Sequence, residues 1–239
     1  MIAGVNDSVV EAAFAGSQLE IRDLTLRGPI EYEDGLTLQE EIHHEVAQSD
    51  HQSVLLLLEH QSIFTAGKRT ESHERPINGA RVIDVNRGGK ITWHGPGQIV
   101  GYPIIKLRNP AELLGYVRTI EAALIATLKE FSIIGRCIKG RSGVWIDGER
   151  KIAAIGIRVA QGVTMHGFAL NTNCDLASYE EIIPCGISDG SVTSMSMELG
   201  RRIELKDVLP VLKHEMALAL NPLIAPSESL NLREGIAIS

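Results

Sequence analysis

The chain has 239 residues, of which 44% are hydrophobic and 22% are charged, an ordinary composition for a globular protein. Its 23 basic and 30 acidic residues give a net charge of −7, which argues against bulk nucleic-acid binding. A chain with this net charge can still carry a local basic face. Three cysteines, an odd number in a chain of this length, exclude a disulfide framework and favour a reducing compartment.

Hydrophobic periodicity predicts a mixture of strands and helices. The predicted strands cover residues 19–26, 54–58, 82–85, 91–94, 99–105, 144–146, 152–159 and 167–171. The predicted helices cover residues 30–48, 111–131 and 207–220. Residues 68–74 are predicted to form a loop. Because the strands cluster between the helices instead of alternating with them, we expect an α+β fold and not a doubly wound parallel sheet.

The start of the chain predicts neither secretion nor membrane insertion. Its first residues lack a basic region and carry Asp7 and Glu11, which is a poor secretory signal. The longest strongly apolar run, residues 54–58, is too short to span a bilayer and is predicted to be a buried strand. We therefore expect a cytoplasmic, monomeric protein with no membrane attachment.

One cysteine, Cys185, lies between Pro184 and Gly186, a pattern that predicts a sharp turn on which the thiol is presented instead of packed. Thiolates are good nucleophiles toward acyl groups, and a nearby ammonium group favours the thiolate form. Lys151 precedes a small, apolar run at residues 152–156, so its ammonium group is expected to be half desolvated and able to exchange protons. A purely structural interpretation, in which Lys151 is a charged residue at the end of a strand, fits the same pattern. If both side chains meet, they make an acyl-transfer site.

Residues 87–98, with the sequence RGGKITWHGPGQ, hold the densest group of unusual residues. Gly88 and Gly89 let a backbone approach a ligand closely, and the Gly-Pro-Gly at residues 95–97 reverses the chain. Two tight turns beside a strand explain the same pattern. The segment fits neither a phosphate loop nor a dinucleotide-binding turn. His94 fits either a catalytic base or a buried core histidine.

Metal binding is not predicted. The eight histidines contain no His-Glu-x-x-His pattern, and the cysteines form no Cys-x-x-Cys pair. His43 and His44 are adjacent on a predicted helix and are expected to be solvated. Cys137 and Cys174 are expected to be small buried hydrophobic residues. No metal and no other cofactor is therefore expected.

Four segments together resemble the lipoyl (octanoyl) transferase family, also called lipoate-protein ligase B. They are residues 87–94 with Gly97, Gln98 and Tyr102, residues 151–156 (KIAAIG), residues 164–171 (TMHGFALN) and residues 184–188 (PCGIS). The resemblance implies a catalytic domain at residues 19–220, an extension at 1–18 and a tail at 221–239. It also implies the fold of biotin- and lipoate-protein ligases, a mixed sheet flanked by helices.

The resemblance further implies a reaction, in which octanoate passes from octanoyl-acyl carrier protein to the ε-amino group of a lipoyl-domain lysine. The implied acceptors are lipoyl domains of 2-oxoacid dehydrogenase E2 subunits and the glycine cleavage H protein. Carried over by position, Cys185 is the nucleophile and Lys151 its general base and acid. The implied acyl pocket is lined by Arg87, Gly88, Gly89, Lys90, Ile91, Thr92, Trp93, His94, Ala154, Ile155, Gly156, Gly167, Phe168 and Ala169. Its glycines are expected to make room for the acyl chain.

Because carrier proteins and lipoyl domains are acidic, we expect a basic rim to guide docking. The two clusters that could form it are Lys68, Arg69 and Arg75, and Arg136, Lys139 and Arg141. Three alternatives remain open from the sequence: an ATP-dependent lipoate or biotin ligase, which would not need Cys185, a non-catalytic module that binds carrier proteins, and a hydrolase that releases free octanoate.

Overall fold

The structure is a computed structural model that describes residues 18–48, 51–182 and 190–226. The strands in these ranges are β1 Leu19–Asp23, β2 Ser53–Leu58, β3 Ile63–Ala66, β4 Val82–Asp84, β5 Thr92–His94, β6 Gln98–Ile104, β7 Gly135–Ile138, β8 Arg141–Ile146, β9 Arg150–Ala160, β10 Val163–Asn171 and β11 Ser191–Val192. The helices are α1 Tyr32–Gln48, α2 Leu113–Glu130, α3 Met195–Leu199 and α4 Leu205–Leu220.

The strands form two mixed sheets. The larger has the order β1-β2-β6-β10-β9-β8-β7, with β11 beside β9, and the smaller has the order β4-β3-β5. In the larger sheet β1 runs parallel to β2 and β11 parallel to β9, whereas the other pairs are antiparallel. The α+β prediction with a mixed sheet is confirmed.

Helices cover both faces of the larger sheet, which explains its apolar central strand. On β2, Leu55 and Leu57 pack into the core under α2 and α4. Val54, Leu56 and Leu58 pack on the opposite face, under α1. A strand that is buried on both faces reads as a continuous apolar run instead of an alternating one. The run at 54–58 therefore forms a buried strand, as predicted.

Several elements differ from those predicted. Residues 63–66 form β3, although the sequence suggested only a passage into a loop. Strand β10 begins at Val163, four residues before the predicted start. Two of its polar groups are paired in the interior: the Thr164 hydroxyl donates to the Pro103 carbonyl at 2.6 Å, and the His166 backbone N–H donates to Gln39 Oε1 at 3.0 Å. The short elements β7 and α3 were not predicted.

The two ends of the chain are only partly described. The predicted extension at 1–18 lies outside the described residues, apart from Gln18, and so does the tail beyond residue 226. The described start of the tail packs on the larger sheet, where Ile224 is buried in the core and pairs with Leu107. Across the described ranges, no helix combines the length and apolar character needed to cross a bilayer.

Candidate functional site

A cavity of about 270 Å³ lies where β9 and β10 of the larger sheet meet β5 and the start of α1. Its wall consists of Tyr32, Arg69, Arg87, Gly89, Lys90, Thr92, His94, Tyr102, Gly140, Arg141, Ser142, Lys151, Ala154, Ile155, Gly156, His166, Gly167, Phe168 and Ala169. Eleven of the fourteen residues expected in the acyl pocket are among them, together with Lys151. Segments that are distant in sequence are thus brought together as expected.

Three residues expected in the pocket do not line this cavity: Gly88, Ile91 and Trp93. Successive side chains of a strand point to opposite faces, so Thr92 and His94 face the cavity whereas Trp93 does not. Ile91 and Trp93 pack in a separate buried cluster. These three residues, which were expected in the wall of the acyl pocket, therefore do not line this cavity.

The glycines of the cavity wall have a different role from the one expected. A Cβ at Gly156 would lie 2.9 Å from the Gly88 carbonyl oxygen and 3.0 Å from Arg87 Cδ. A Cβ at Gly167 would collide with the Gly101 carbonyl oxygen of the neighbouring strand β6. These glycines let backbones approach each other closely, and the space in the cavity does not come from their missing side chains.

Lys151 lies at the start of β9 and is buried, with 5% of its surface exposed. Its ammonium nitrogen lies 4.8 Å from the centre of the Trp145 ring, and its carbonyl oxygen accepts a hydrogen bond from the Thr193 N–H at 3.0 Å. The expectation of a partly desolvated lysine is confirmed, since this side chain forms part of the cavity wall.

Cys185 lies outside the described residues, and so do its neighbours in the segment 183–189. The chain on both sides of this segment is described. Ile182 packs in the cluster that contains Trp93, and Val192 of β11 pairs in register with Lys151.

The other two cysteines fit the nucleophile's role poorly. Cys174 is buried as expected, and burial raises the pKa of its thiol to about 12. Cys137 is exposed on β7, an edge strand of the larger sheet, and does not line the cavity; desolvation of its sulfur and the Glu121 carboxylate raise the pKa of its thiol. The expectation that Cys137 is buried is therefore wrong.

Four aromatic side chains of the cavity wall are held uncharged. Burial lowers the pKa of His94 and of His166 to about 3. Burial also raises the pKa of Tyr32 to about 12 and that of Tyr102 well above its ordinary value. The cavity thus presents neutral rings near neutral pH, which suits an apolar ligand.

His94 is built into a buried polar network. Its Nδ1 lies 2.8 Å from Oε1 of Gln98. The amide nitrogen of Gln98 donates to the Trp93 carbonyl at 3.3 Å, to Asn171 Oδ1 at 2.9 Å and to the Tyr179 hydroxyl at 3.1 Å. The His94 ring also stacks on Tyr32, with 6.1 Å between ring centres. His94 is therefore a well-positioned buried histidine with one edge on the cavity.

Arg87 and Lys90, two cations that were expected to line the acyl pocket, mostly contact other residues of the protein. The Arg87 guanidinium donates four hydrogen bonds, two of them to the carbonyl oxygens of Gly88 and Lys90 and two to Thr65. Lys90 forms ion pairs with the buried Glu74 and with Glu71. Arg87 and Lys90 therefore hold neighbouring segments of the wall together, and two carboxylates balance the charge of Lys90.

The resemblance did not place every residue of the wall. Tyr32, Gly140 and Ser142 were missed, and no local signal marks them, because the fold brings them in from distant segments. Tyr102 and His166 belong to segments that carried the resemblance, but neither was expected in the pocket. Within the described ranges, no group of three or more histidine, cysteine or acidic residues is arranged to hold a metal ion.

Residues 31–217 match the family described as the lipoyl protein ligase A/B catalytic domain. The chain belongs to this family. It is similar to the octanoyltransferase of Salinispora tropica, with 51% identity over 84% of this chain and 97% of that protein. It is also similar to the octanoyltransferase of Leifsonia xyli, with 54% identity over 77% of this chain and 84% of that protein. The predictions of this family and of an acyltransferase are confirmed.

The fold of this family member also resembles a solved structure. The bipartite lipoate protein ligase of the archaeal lipoylation system of Thermoplasma acidophilum superposes with a TM-score of 0.68, over 91% of each chain. Its sequence identity of 16% supports the shared fold alone. The expected ligase-like fold is confirmed.

Proposed function

We propose that this protein is an octanoyltransferase that moves an octanoyl group from the thioester of acyl carrier protein to a lipoyl-domain lysine. The observation that carries the proposal is the buried ammonium group of Lys151 in the wall of a cavity whose imidazole and phenol groups are held uncharged. Neutral rings and aliphatic side chains suit a hydrocarbon chain, and each methylene buried there contributes about 0.8 kcal/mol.

In the first half-reaction, Lys151 takes the proton from the Cys185 thiol. The thiolate attacks the thioester carbonyl, and the carrier thiolate leaves and takes a proton back from Lys151. The product is an octanoyl thioester on Cys185. One thioester replaces another, so this step needs no nucleotide. The register between Val192 and Lys151 supports the pairing, because it anchors the chain that follows Cys185 beside the lysine.

In the second half-reaction, the neutral amine of the acceptor lysine attacks the acyl group on Cys185. The amine loses one proton to Lys151, the new amide bond forms, and the Cys185 thiolate leaves and recovers its proton. Formation of an amide from a thioester runs downhill. The solved lipoate protein ligase of T. acidophilum was described together with its E2 lipoyl domain, which supports a lipoyl domain as the acceptor.

The finer assignments belong to the same proposal. The acceptors are lipoyl domains of 2-oxoacid dehydrogenase E2 subunits and the glycine cleavage H protein, the catalytic domain spans residues 19–220, and the working form is a cytoplasmic monomer. Arg69 and Arg141, one from each predicted basic cluster, lie in the cavity wall. Their position supports docking of an acidic carrier over the cavity.

The deciding test is transfer in the absence of any nucleotide. Purified protein is incubated with octanoyl-acyl carrier protein and an unmodified lipoyl domain, and the domain is analysed by intact mass. We expect octanoylation of the domain without ATP. A requirement for ATP and free octanoate would instead identify a ligase, release of free octanoate alone a hydrolase, and binding without either product a carrier-binding module.

A further inference from the structure

The direction of the Lys151 side chain depends on an irregularity in β9. Ala153 and Ile155 lie two and four residues beyond Lys151, and both pack into the core under α2 and α4. Because side chains alternate along a strand, a regular β9 would send Lys151 into that core as well. The pairing with β8 skips one residue, since Val144 opposes Ala153 whereas Trp145 opposes Lys151. This β-bulge reverses the alternation and aims Lys151 at the cavity.

The bulge also makes Trp145 the cross-strand partner of Lys151. Trp145 is 1% exposed, and the Lys151 ammonium nitrogen lies 4.8 Å from the centre of its ring, within the range of a cation–π interaction. The indole N–H has no acceptor among the described residues, so hydrogen bonding does not explain a tryptophan here. We propose that Trp145 is a positioning residue, whose ring holds the Lys151 ammonium group in place for the acyl-transfer reaction.

The residues before the bulge are fixed from helix α2. Gly143 has a φ of +111°, and its N–H donates to Oε1 of Glu121 at 2.9 Å. Glu121 is fully buried and forms an ion pair with Arg118. A Cβ at Gly143 would collide with the Ala153 carbonyl oxygen and would lie 3.0 Å from Cε of Lys151. The glycine thus lets β8 approach β9 closely and leaves space for the lysine stem, and the carboxylate holds the strand that carries Trp145.

This inference rests on the proposed function, in which Lys151 exchanges protons with Cys185. A group that is displaced by a fraction of an ångström or allowed to rotate slows the chemical step more than it weakens binding. Loss of the ring should therefore lower kcat and leave KM for a small octanoyl thioester nearly unchanged. That substrate is used because the Arg141 guanidinium, proposed to dock the carrier protein, lies 5.7 Å from the centre of the same ring. If Trp145 served only the fold, its loss would lower the amount of folded enzyme, and kcat and KM of the folded fraction would both stay unchanged.

The kinetic test compares Trp145→Leu with Trp145→Phe. The leucine variant removes the aromatic face, and we expect kcat to fall about ten- to thirtyfold with KM within twofold of wild type. The phenylalanine variant keeps an aromatic face and should recover most of kcat. Tyr116→Leu is the control, since it truncates another buried ring, in the core under α2 and outside the cavity, and should leave kcat of the folded enzyme unchanged. Wild-type kcat in Trp145→Leu overturns the proposal.

A second readout is independent of transfer. In protein with 13C-labelled lysine, the ring current of Trp145 should shift the ε-methylene protons of Lys151 upfield, and the eight lysines give a spectrum simple enough to assign with Lys151→Arg. The shift should disappear in Trp145→Leu. An unshifted Lys151 signal in the wild type overturns the proposal. A shifted signal in a protein that transfers no acyl group would refute the proposed function and retain the pairing of Trp145 with Lys151.

Discussion

The side-chain oxygen of Gln98 lies 2.8 Å from Nδ1 of His94 and fixes which nitrogen carries the proton. The Gln98 amide nitrogen must face the Trp93 carbonyl, because a carbonyl oxygen can only accept. Its oxygen therefore faces His94, and His94 Nδ1 must donate. The uncharged ring then leaves Nε2 as an acceptor, and no described residue donates a hydrogen bond to it.

We predict that 15N NMR of histidine-labelled protein finds His94 protonated at Nδ1 near neutral pH. Gln98→Met should abolish this preference and destabilise the fold by about 1–3 kcal/mol, because Asn171 and Trp93 lose a buried donor. Histidine signals are assigned with His94→Gln. A wild-type His94 protonated at Nε2 would contradict the assignment.

Stability should fall as the pH drops below about 6.5. Burial lowers the pKa of His60 to about 4 and that of His94 and of His166 to about 3. The unfolded chain therefore binds more protons than the folded one between the folded pKa values and 6.5, so the free energy of unfolding decreases as the pH falls through this window. Above pH 6.5 this contribution is fully present.

Urea unfolding between pH 4.5 and 7.5 measures this dependence. His60→Gln should reduce the slope by about 1.4 kcal/mol per pH unit, which corresponds to one proton. His44 is exposed on α1, so His44→Gln serves as the control and should leave the slope unchanged. An unchanged slope in His60→Gln would show that His60 does not contribute.

Lys151→Arg should lower transfer by about a hundredfold or more, although it keeps the positive charge, because arginine does not release a proton. Single-turnover transfer from octanoyl-acyl carrier protein is the measurement. Lys213→Arg is the control, since Lys213 lies outside the cavity and forms a largely buried ion pair with Asp23 at 2.9 Å that arginine can retain. Near wild-type rates in Lys151→Arg would reduce Lys151 to an electrostatic partner.

Charge reversal near the cavity should weaken docking of the carrier protein. Lys68 and Lys139 are exposed, one in each predicted basic cluster, and neither lines the cavity. In Lys68→Glu with Lys139→Glu we expect KM for octanoyl-acyl carrier protein to rise several-fold, and to depend less on salt, because surface charges mainly steer association. Transfer from a small octanoyl thioester should be unaffected. The control is Lys206→Glu, at the start of α4, and an unchanged KM in the double variant would exclude this docking surface.

The sequence predicted the parts of the site that depend on local pattern. The apolar run after Lys151 predicted its partial desolvation, whereas the segment 87–94 was expected in the pocket wall only through its resemblance to the family. Alternation along β5 also separates Thr92 and His94 from Trp93. The desolvation of Lys151 and the alternation along β5 can be predicted from the sequence because their cause lies within a few neighbouring residues.

Other parts of the site depend on contacts between distant residues. Tyr32 stacks on His94, 62 positions away, and nothing near Tyr32 indicates this contact. The bulge that pairs Trp145 with Lys151 arises from the register of two strands and from Glu121 on a separate helix. Strict alternation of side chains along β9, without the bulge, would point Lys151 into the core. Register and long-range packing set these features, and a single sequence does not display them.

The proposed reaction depends most directly on an acyl group carried by Cys185. Wild-type protein and Cys185→Ser are each incubated with octanoyl-acyl carrier protein without acceptor, quenched in acid and analysed by intact mass and peptide mapping. We expect one octanoyl group on the wild type, located at Cys185, and none on the thiol of any other cysteine or on the variant. Transfer to a lipoyl domain that proceeds at the wild-type rate in Cys185→Ser, or an unmodified wild type during turnover, would contradict it.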